Sequence, residues 1–355
     1  MPVKQTNQSR GPIYALVAAA LFGVSTPLAK ILLGQIQPVL LAALLYLGSG
    51  VGLLLWLVIR RSVGQQESRE AGLRRSDLLW LASAIFSGGV VGPILLLIGL
   101  RLTPASSASL LLNLEGVFTA TLAWFVFKEN FDQRIALGMV AIVVGGVVLS
   151  WAGRPELHIP WGAIAIAGAC LAWAIDNNLT RNVSAGDPIQ IAAAKGLVAG
   201  VVNLIIALGV GAIAPGPVVI AEAGLLGLMS YGVSLTFFVL ALRHIGTART
   251  GAYFSTAPFL GAFLSIFILN ESITTAFTVA AALMLIGLWL HLTERHEHEH
   301  THEAMEHEHL HTHDEHHQHH VEHELLAQTH SHTHRHEAMR HSHPHYPDIH
   351  HRHEH

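Results

Sequence analysis

The feature that most limits what this chain can become is a series of apolar runs, each close to the thickness of a bilayer's hydrocarbon core. They cover about Ile13–Leu33, Val39–Ile59, Leu78–Leu97, Ala105–Phe125, Ile135–Trp151, Trp161–Leu179, Ile189–Leu208, Val218–Leu240, Thr250–Leu269 and Ala276–Leu292. A run of roughly 20 apolar residues crosses a membrane as a helix. Inside lipid every backbone amide and carbonyl needs an internal partner, which leaves helices or closed barrels. The runs predict an all-α membrane protein with ten transmembrane helices. The first run is too long for a signal-peptide core and has no clear cleavage site, so it counts as a span. Pro27 is expected to kink it.

The runs also repeat. Shifted by 142 positions, Leu100–Glu129 lies over Leu242–Glu271, with Leu100/Leu242, Arg101/Arg243, Ala120/Ala262, Phe125/Phe267 and Glu129/Glu271 in register. Gly145/Gly287 follow in the next span. A shift of 151 places Phe22-Gly23 over Trp173-Ala174 and Lys30 over Arg181. Five spans per half is an odd number, so the second half must enter the membrane from the opposite side. That is the inverted repeat from which many secondary transporters are built. The expected domains are a cytoplasmic N-terminus (1–10), a first five-helix repeat (11–152), a second (153–293) and a C-terminal tail (294–355).

Charge sets the expected orientation. With a cytoplasmic N-terminus, the inner segments collect Lys4, Arg10, Arg60, Arg61, Arg69, Arg74, Arg75, Lys128, Arg134, Arg181, Arg243 and Arg249, against Lys30, Arg101 and Arg154 outside. Basic loops stay inside, so both termini are expected in the cytoplasm. Residues 1–293 carry a formal +5 and residues 294–355 carry −9, giving the −4 of the whole chain. Of 27 histidines, 24 lie in that last segment. Its few apolar residues cannot form a core, and it is expected to be disordered. Cys170, the one cysteine, excludes a disulfide framework and a thiolate metal cluster and reads as a small buried packing residue.

Ionisable groups inside the spans are the candidates for function, because a charge in lipid costs about 2.5–3.5 kcal/mol and faces protein or water instead. Glu115 sits near the middle of span four and has no evident basic partner, which suits a proton-coupling group or a cation ligand. Ser107, Leu111 and Thr119 share its helical face. Asn113, with Ser109 and Ser106, falls on a second face that suits helix contact. Asp176 and Lys195 lie at similar depth on consecutive spans and are expected to form an ion pair. That pair either locks span six to span seven or exchanges Lys195 for cargo. Asn177 and Asn178 point away from Asp176, so one of the three is expected to cap or bridge helices instead of touching substrate. Asn203 is a further polar residue in span seven. Glu129 and Glu271 fall at span ends and read as interfacial caps. The glycine clusters Gly48/Gly50/Gly52, Gly88/Gly89/Gly92 and Gly196/Gly200 read as close helix contacts. Pro93 and Pro258 interrupt spans three and nine.

The tail carries a different signal. His-x-His recurs at His296/His298/His300/His302, His307/His309/His311/His313, His330/His332/His334/His336, His341/His343/His345 and His351/His353/His355, interleaved with acids. Alternate residues of an extended chain share a side. Imidazole and carboxylate without sulfur suit Ni²⁺, Co²⁺, Zn²⁺ or Cu²⁺ in a multisite chelator, not a fixed zinc site. His158 and His244 are lone histidines and read as inert.

The fused halves, the pairs Phe22-Gly23 and Trp173-Ala174, and NLEGVFTATLAWFVFKE with its mate APFLGAFLSIFILNE resemble the EamA-type drug/metabolite transporter superfamily over residues 11–292. The resemblance implies ten helices, a cavity between inverted halves and export from the cytoplasm. The tail resembles that of the nickel/cobalt-resistance exporters of the superfamily. Gly116 stands where many members have proline after the glutamate, which implies a straighter span four.

The function expected is therefore export of divalent transition metals, nickel or cobalt first, across a bacterial inner membrane in exchange for protons. The tail would collect metal, Glu115 and Asp176 would pass it, and Lys195 would offset charge in the empty site. The alternative is an exporter of amino acids or other small metabolites whose tail only buffers or senses metal. A non-transporting metal store is a third reading that leaves the helices without a role. No required cofactor is expected, and no catalytic triad, kinase loop or nucleotide fingerprint suggests an enzyme. The expected partners are the bilayer, metal ions, protons and a second copy of the chain in a homodimer, not nucleic acid.

Overall fold

Where the sequence alternates long apolar runs with short polar breaks, the computed structural model is helical. It describes residues 10–62, 77–127, 133–151, 160–181, 183, 187–293, 297–302, 305–311, 330–336 and 339–344. The helices are α1 (Arg10–Gly23), α2 (Ser25–Leu32), α3 (Pro38–Ser62), α4 (Leu78–Ala84), α5 (Gly92–Leu102), α6 (Ala105–Leu111), α7 (Leu114–Phe127), α8 (Gln133–Trp151), α9 (Trp161–Arg181), α10 (Pro188–Gly209), α11 (Pro217–Gly227), α12 (Ser234–Phe254), α13 (Ala257–Leu269) and α14 (Thr275–Leu292). Two π-helical segments, Ile85–Val91 and Leu228–Val233, join α4 to α5 and α11 to α12.

Eight helical segments among the described residues are long and apolar enough to cross a membrane, not the expected ten. They coincide with expected spans one to three and five to nine. Span four is broken: α6 ends at Leu111 and α7 starts at Leu114. The Asn113 amide donates to the Leu110 carbonyl at 2.9 Å. The backbone tightens there as well, with Leu112, Asn113 and Glu115 each bonding three residues back. A side chain that competes for helix carbonyls offers the chain an exit from the helix. Gly116 therefore does not straighten this span; the break falls just before it. The last apolar helix, Thr275–His291, is shorter than the others. In the first span, Pro27 has no N–H to give Gly23, and α1 passes to α2 at Val24.

The packing follows the repeat. The strongest partners are α3 with α10, α8 with α14, α1 with α12, and α5 with α9, and α6 also lies on α13. Spans two and seven thus pair, as do five and ten, and four and nine, while one takes eight and three takes six. The two π-helical segments occupy corresponding places, since shifting Ile85–Val91 by 142 covers 227–233. Small residues allow close approach: a Cβ on Gly50 would collide with the Gly196–Leu197 backbone, and one on Gly227 with Leu45. Tight van der Waals packing of this kind drives association where lipid removes the hydrophobic contrast.

Large apolar side chains such as Leu55, Phe86, Leu137, Ile205 and Phe267 lie on the outside, as a lipid-facing surface requires. Trp56, Trp80, Trp124, Trp151, Trp161 and Trp289 are also exposed and near helix ends, whereas Trp173 is 7% exposed. Tryptophan at span ends marks the membrane–water interface; Trp173 is set apart for something inside.

In the tail, four described segments are extended. β1 (Glu297–His302) pairs antiparallel with β4 (Met339–Pro344), and β2 (Met305–His311) with β3 (His330–His336). His298 stands opposite His343 and His300 opposite His341. His307, His309 and His311 stand opposite His334, His332 and His330, and this ladder continues the register of the first. The period-two sequence suits strands. His296, His313, Glu129, His158 and the basic loop of residues 63–76 lie outside the described residues.

Candidate transport site

Helix α9 carries most of the polar groups at the centre, on successive faces. Asp176 and Lys195 meet as a buried pair: Lys195 Nζ donates to Asp176 Oδ1 at 2.5 Å and Oδ2 at 2.8 Å. Thr180, one turn beyond Asp176, donates to Oδ1 at 2.8 Å and accepts from Lys195 at 3.0 Å. Both Asp176 oxygens are therefore engaged, and the two charges, 7% and 3% exposed, neutralise each other. Such pairing is how charges are held at membrane depth.

Glu115 is held differently. Asn177 Nδ2 donates to Glu115 Oε1 at 2.7 Å, which ties α7 to α9 through a neutral amide. Asn178 turns back on its own helix, donating to the Ala174 carbonyl at 2.9 Å. Asn113 points to the other side of span four, with Nδ2 3.9 Å from Met284 Sδ of α14. Of the six sequence candidates, Glu115 and Asn177 form one contact and Asp176 and Lys195 another, while Asn113 and Asn178 join neither.

Sequence reasoning missed the structure between these contacts. The π-helical segment of span three presents the Gly88 carbonyl, which accepts from Tyr46 Oη at 2.8 Å and Trp173 Nε1 at 2.9 Å. The adjacent Gly89 carbonyl accepts from Asn203 Nδ2 at 2.9 Å. A π turn leaves carbonyls without ordinary helical partners, and such turns gather at functional sites. Gly88 is required for a second reason: a Cβ there would overlap the Asp176 carboxylate. Around this hub lies an aromatic cluster. Phe22 meets Trp173 and Tyr231 at 5.8 Å and Phe254 at 5.3 Å between ring centroids, and Tyr46 meets Tyr231 at 5.3 Å. The sequence signal available was the Gly88-Gly89 pair four residues before Pro93, together with one tryptophan far from any span end. Cys170 lies behind the site, its thiol 3.7 Å from the Leu111 carbonyl, which the break in span four exposes.

Two span-end charges have structural work. Lys30 Nζ donates to the carbonyls of Leu100 at 2.5 Å and Thr103 at 2.8 Å. Glu271 accepts from the amides of Ala105 at 2.7 Å and Ser106 at 2.8 Å, so it caps span four and not its own helix. A groove of about 650 Å³ between α4, the π-helical segment of span three and α9 is lined by Phe86, Val91, Leu171, Ile175 and Leu179 and by small residues; Phe86, Leu171 and Ile175 are exposed, so it opens on the outer surface.

Paired spans with π turns at matching places, and ionisable groups buried at their centre, define a multi-pass membrane transporter. The chain belongs to the EamA-like transporter family, whose model matches residues 9–151 and 160–293. It is 30% identical over 292 residues to an uncharacterized transporter of Methanothermobacter thermautotrophicus, covering 79% of this chain and 85% of that one. Over 86 residues it is 30% identical to a probable amino-acid metabolite efflux pump of Salmonella typhimurium, covering 24% of this chain and 29% of that protein. A solved crystal structure at 19% identity superposes with a TM-score of 0.61, covering 79% of this chain and 95% of the other, and shows the shared fold.

Proposed function

We propose that this transporter exports small organic metabolites carrying an amino group, in exchange for protons. The observation that carries the reading is the unequal treatment of two acids at the centre. Asp176 is matched by Lys195, whereas Glu115 is held by the neutral amide of Asn177. An ammonium group can replace that amide at Glu115 and lie against the rings of Phe22, Trp173, Tyr46 and Tyr231. Aromatic faces attract such cations by about 0.5–2 kcal/mol. Glu115 then alternates between ammonium and proton, and the Asp176–Lys195 pair stays a structural lock between α9 and α10. The similarity to a probable amino-acid metabolite efflux pump supports the same class of cargo. The basic loops support both termini lying in the cytoplasm, and a bacterial inner-membrane location and the homodimer expected from the sequence are retained as part of this reading.

Nickel or cobalt export is the second reading, and its support comes from the tail. Histidines stand opposite one another at five register positions of the two ribbons, a spacing at which imidazoles can share an ion. The membrane body favours it less: no group of three or more His, Cys, Asp or Glu side chains among the described residues could hold a metal. On the first reading, the tail binds metal without passing it on.

Counterflow in proteoliposomes separates the two. Radiolabelled amino acids should exchange with full-length protein and with protein ending at Thr293, and Glu115→Gln should reduce exchange at least about tenfold. Exchange of Ni²⁺ or Co²⁺, with amino acids inert, would overturn the metabolite reading.

A further inference from the structure

We infer that Lys30 and Glu271 form a clamp that holds one end of the transport path shut, and that its release opens that end. The segment between spans three and four leaves the helix at Thr103, which is extended at φ −129° and ψ 145°. Lys30, at the end of α2, grips the carbonyls on the α5 side. Glu271, just past α13, grips the amides on the α6 side. Each charge matches the helix end it meets, a cation on bare carbonyls and an anion on bare amides. One short turn is therefore held by groups from span one and span nine. Those spans are themselves close: a Cβ on Gly23 would collide with the Ala257 carbonyl, and one on Gly261 with the Gly23 carbonyl. The four elements α2, α5, α6 and α13 thus converge at this end.

The matching segment of the second half has another conformation. Shifted by 142, residues 100–106 correspond to 242–248, which are helical within α12 (Ser234–Phe254). Two halves of one repeat in different conformations are what alternating access requires, because the opposite-facing state exchanges the two forms. The clamp is the feature that distinguishes this end, and its bonds are ones that must break when spans one and nine part from the turn. It acts on any cargo, so it stands apart from the identity of the substrate.

The test reads accessibility, not transport. Cys170→Ala removes the native thiol and Ser107→Cys places a reporter on α6 below the clamp. Membrane-impermeant methanethiosulfonate is then added to one or the other side of sealed vesicles. Lys30→Met and Glu271→Gln should each speed labelling at least about tenfold from one side only, the same side for both, with Lys30→Arg staying near the parent rate. Where either substitution prevents folding, Glu271→Asp, which draws the carboxylate back by one methylene, is scored by the same criterion. Labelling that does not change, changes from both sides, or rises equally in Lys30→Arg overturns the clamp.

Discussion

Lys195 shows how much of this centre rests on pairing. Its ammonium is buried against Asp176 and Thr180, so removing it alone leaves a carboxylate uncompensated inside the bundle. Breaking a buried pair from one side costs about 3–5 kcal/mol. Lys195→Met should lower the unfolding midpoint in detergent accordingly, and Asp176→Asn in the same chain should restore at least half of the loss. If the single and double variants unfold alike, the pair is not the lock described above. Gly88→Ala makes a related demand, because its methyl would meet the Asp176 carboxylate. Overpacking costs about 1–3 kcal/mol, and thermal unfolding of the purified variant should show a loss of that order. The Asp176–Lys195 contact was legible in the sequence from matched depth on neighbouring spans. The Asn177–Glu115 bond was legible only as a face opposite Asp176, because its partner comes from 62 positions away.

The informative elements are the irregular ones. Hydropathy locates a span but is blind to where it breaks, since Leu112 and Asn113 sit in an apolar run like any other. The cause is local competition by the Asn113 side chain for the Leu110 carbonyl, which Asn113→Leu removes. That variant should join α6 and α7, slow amide exchange at residues 112–115, and reduce transport by displacing Glu115 from Asn177. Rapid exchange retained at those amides would show that the break has another origin. The π-helical segments were equally invisible beforehand. In the first of them, Tyr46, Trp173 and Asn203 arrive from other helices to satisfy the Gly88 and Gly89 carbonyls.

Taken whole, the protein joins a helical body to a histidine-rich tail through Thr293. Helix α14, which leads to the tail, packs mainly on α8, so the core formed by the described helices is built from residues before 294. Protein ending at Thr293 should keep its melting temperature within about 2 °C, since surface or peripheral changes usually stay within about 0.5 kcal/mol. It should also lose most of its Ni²⁺ binding by isothermal titration. A large fall in melting temperature would make the tail part of the fold, and undiminished binding would put the metal sites in the body.

Hydropathy and the 142-residue shift were enough to reach the helical class and the buried acids from the sequence alone, and the family resemblance rested on Phe22-Gly23, Trp173-Ala174 and the residues around Glu115 with their mates in the second half. Those features depend on solvent preference and on chain repetition, which are written residue by residue. The tertiary structure decided which acid is locked and which is held by an amide, and where span four opens. It also decided that Glu271 serves another helix instead of its own. Each of these depends on groups brought together from distant parts of the chain. In a membrane interior, where a bare carbonyl or carboxylate costs several kcal/mol, the identity of the arriving partner determines what a polar residue does.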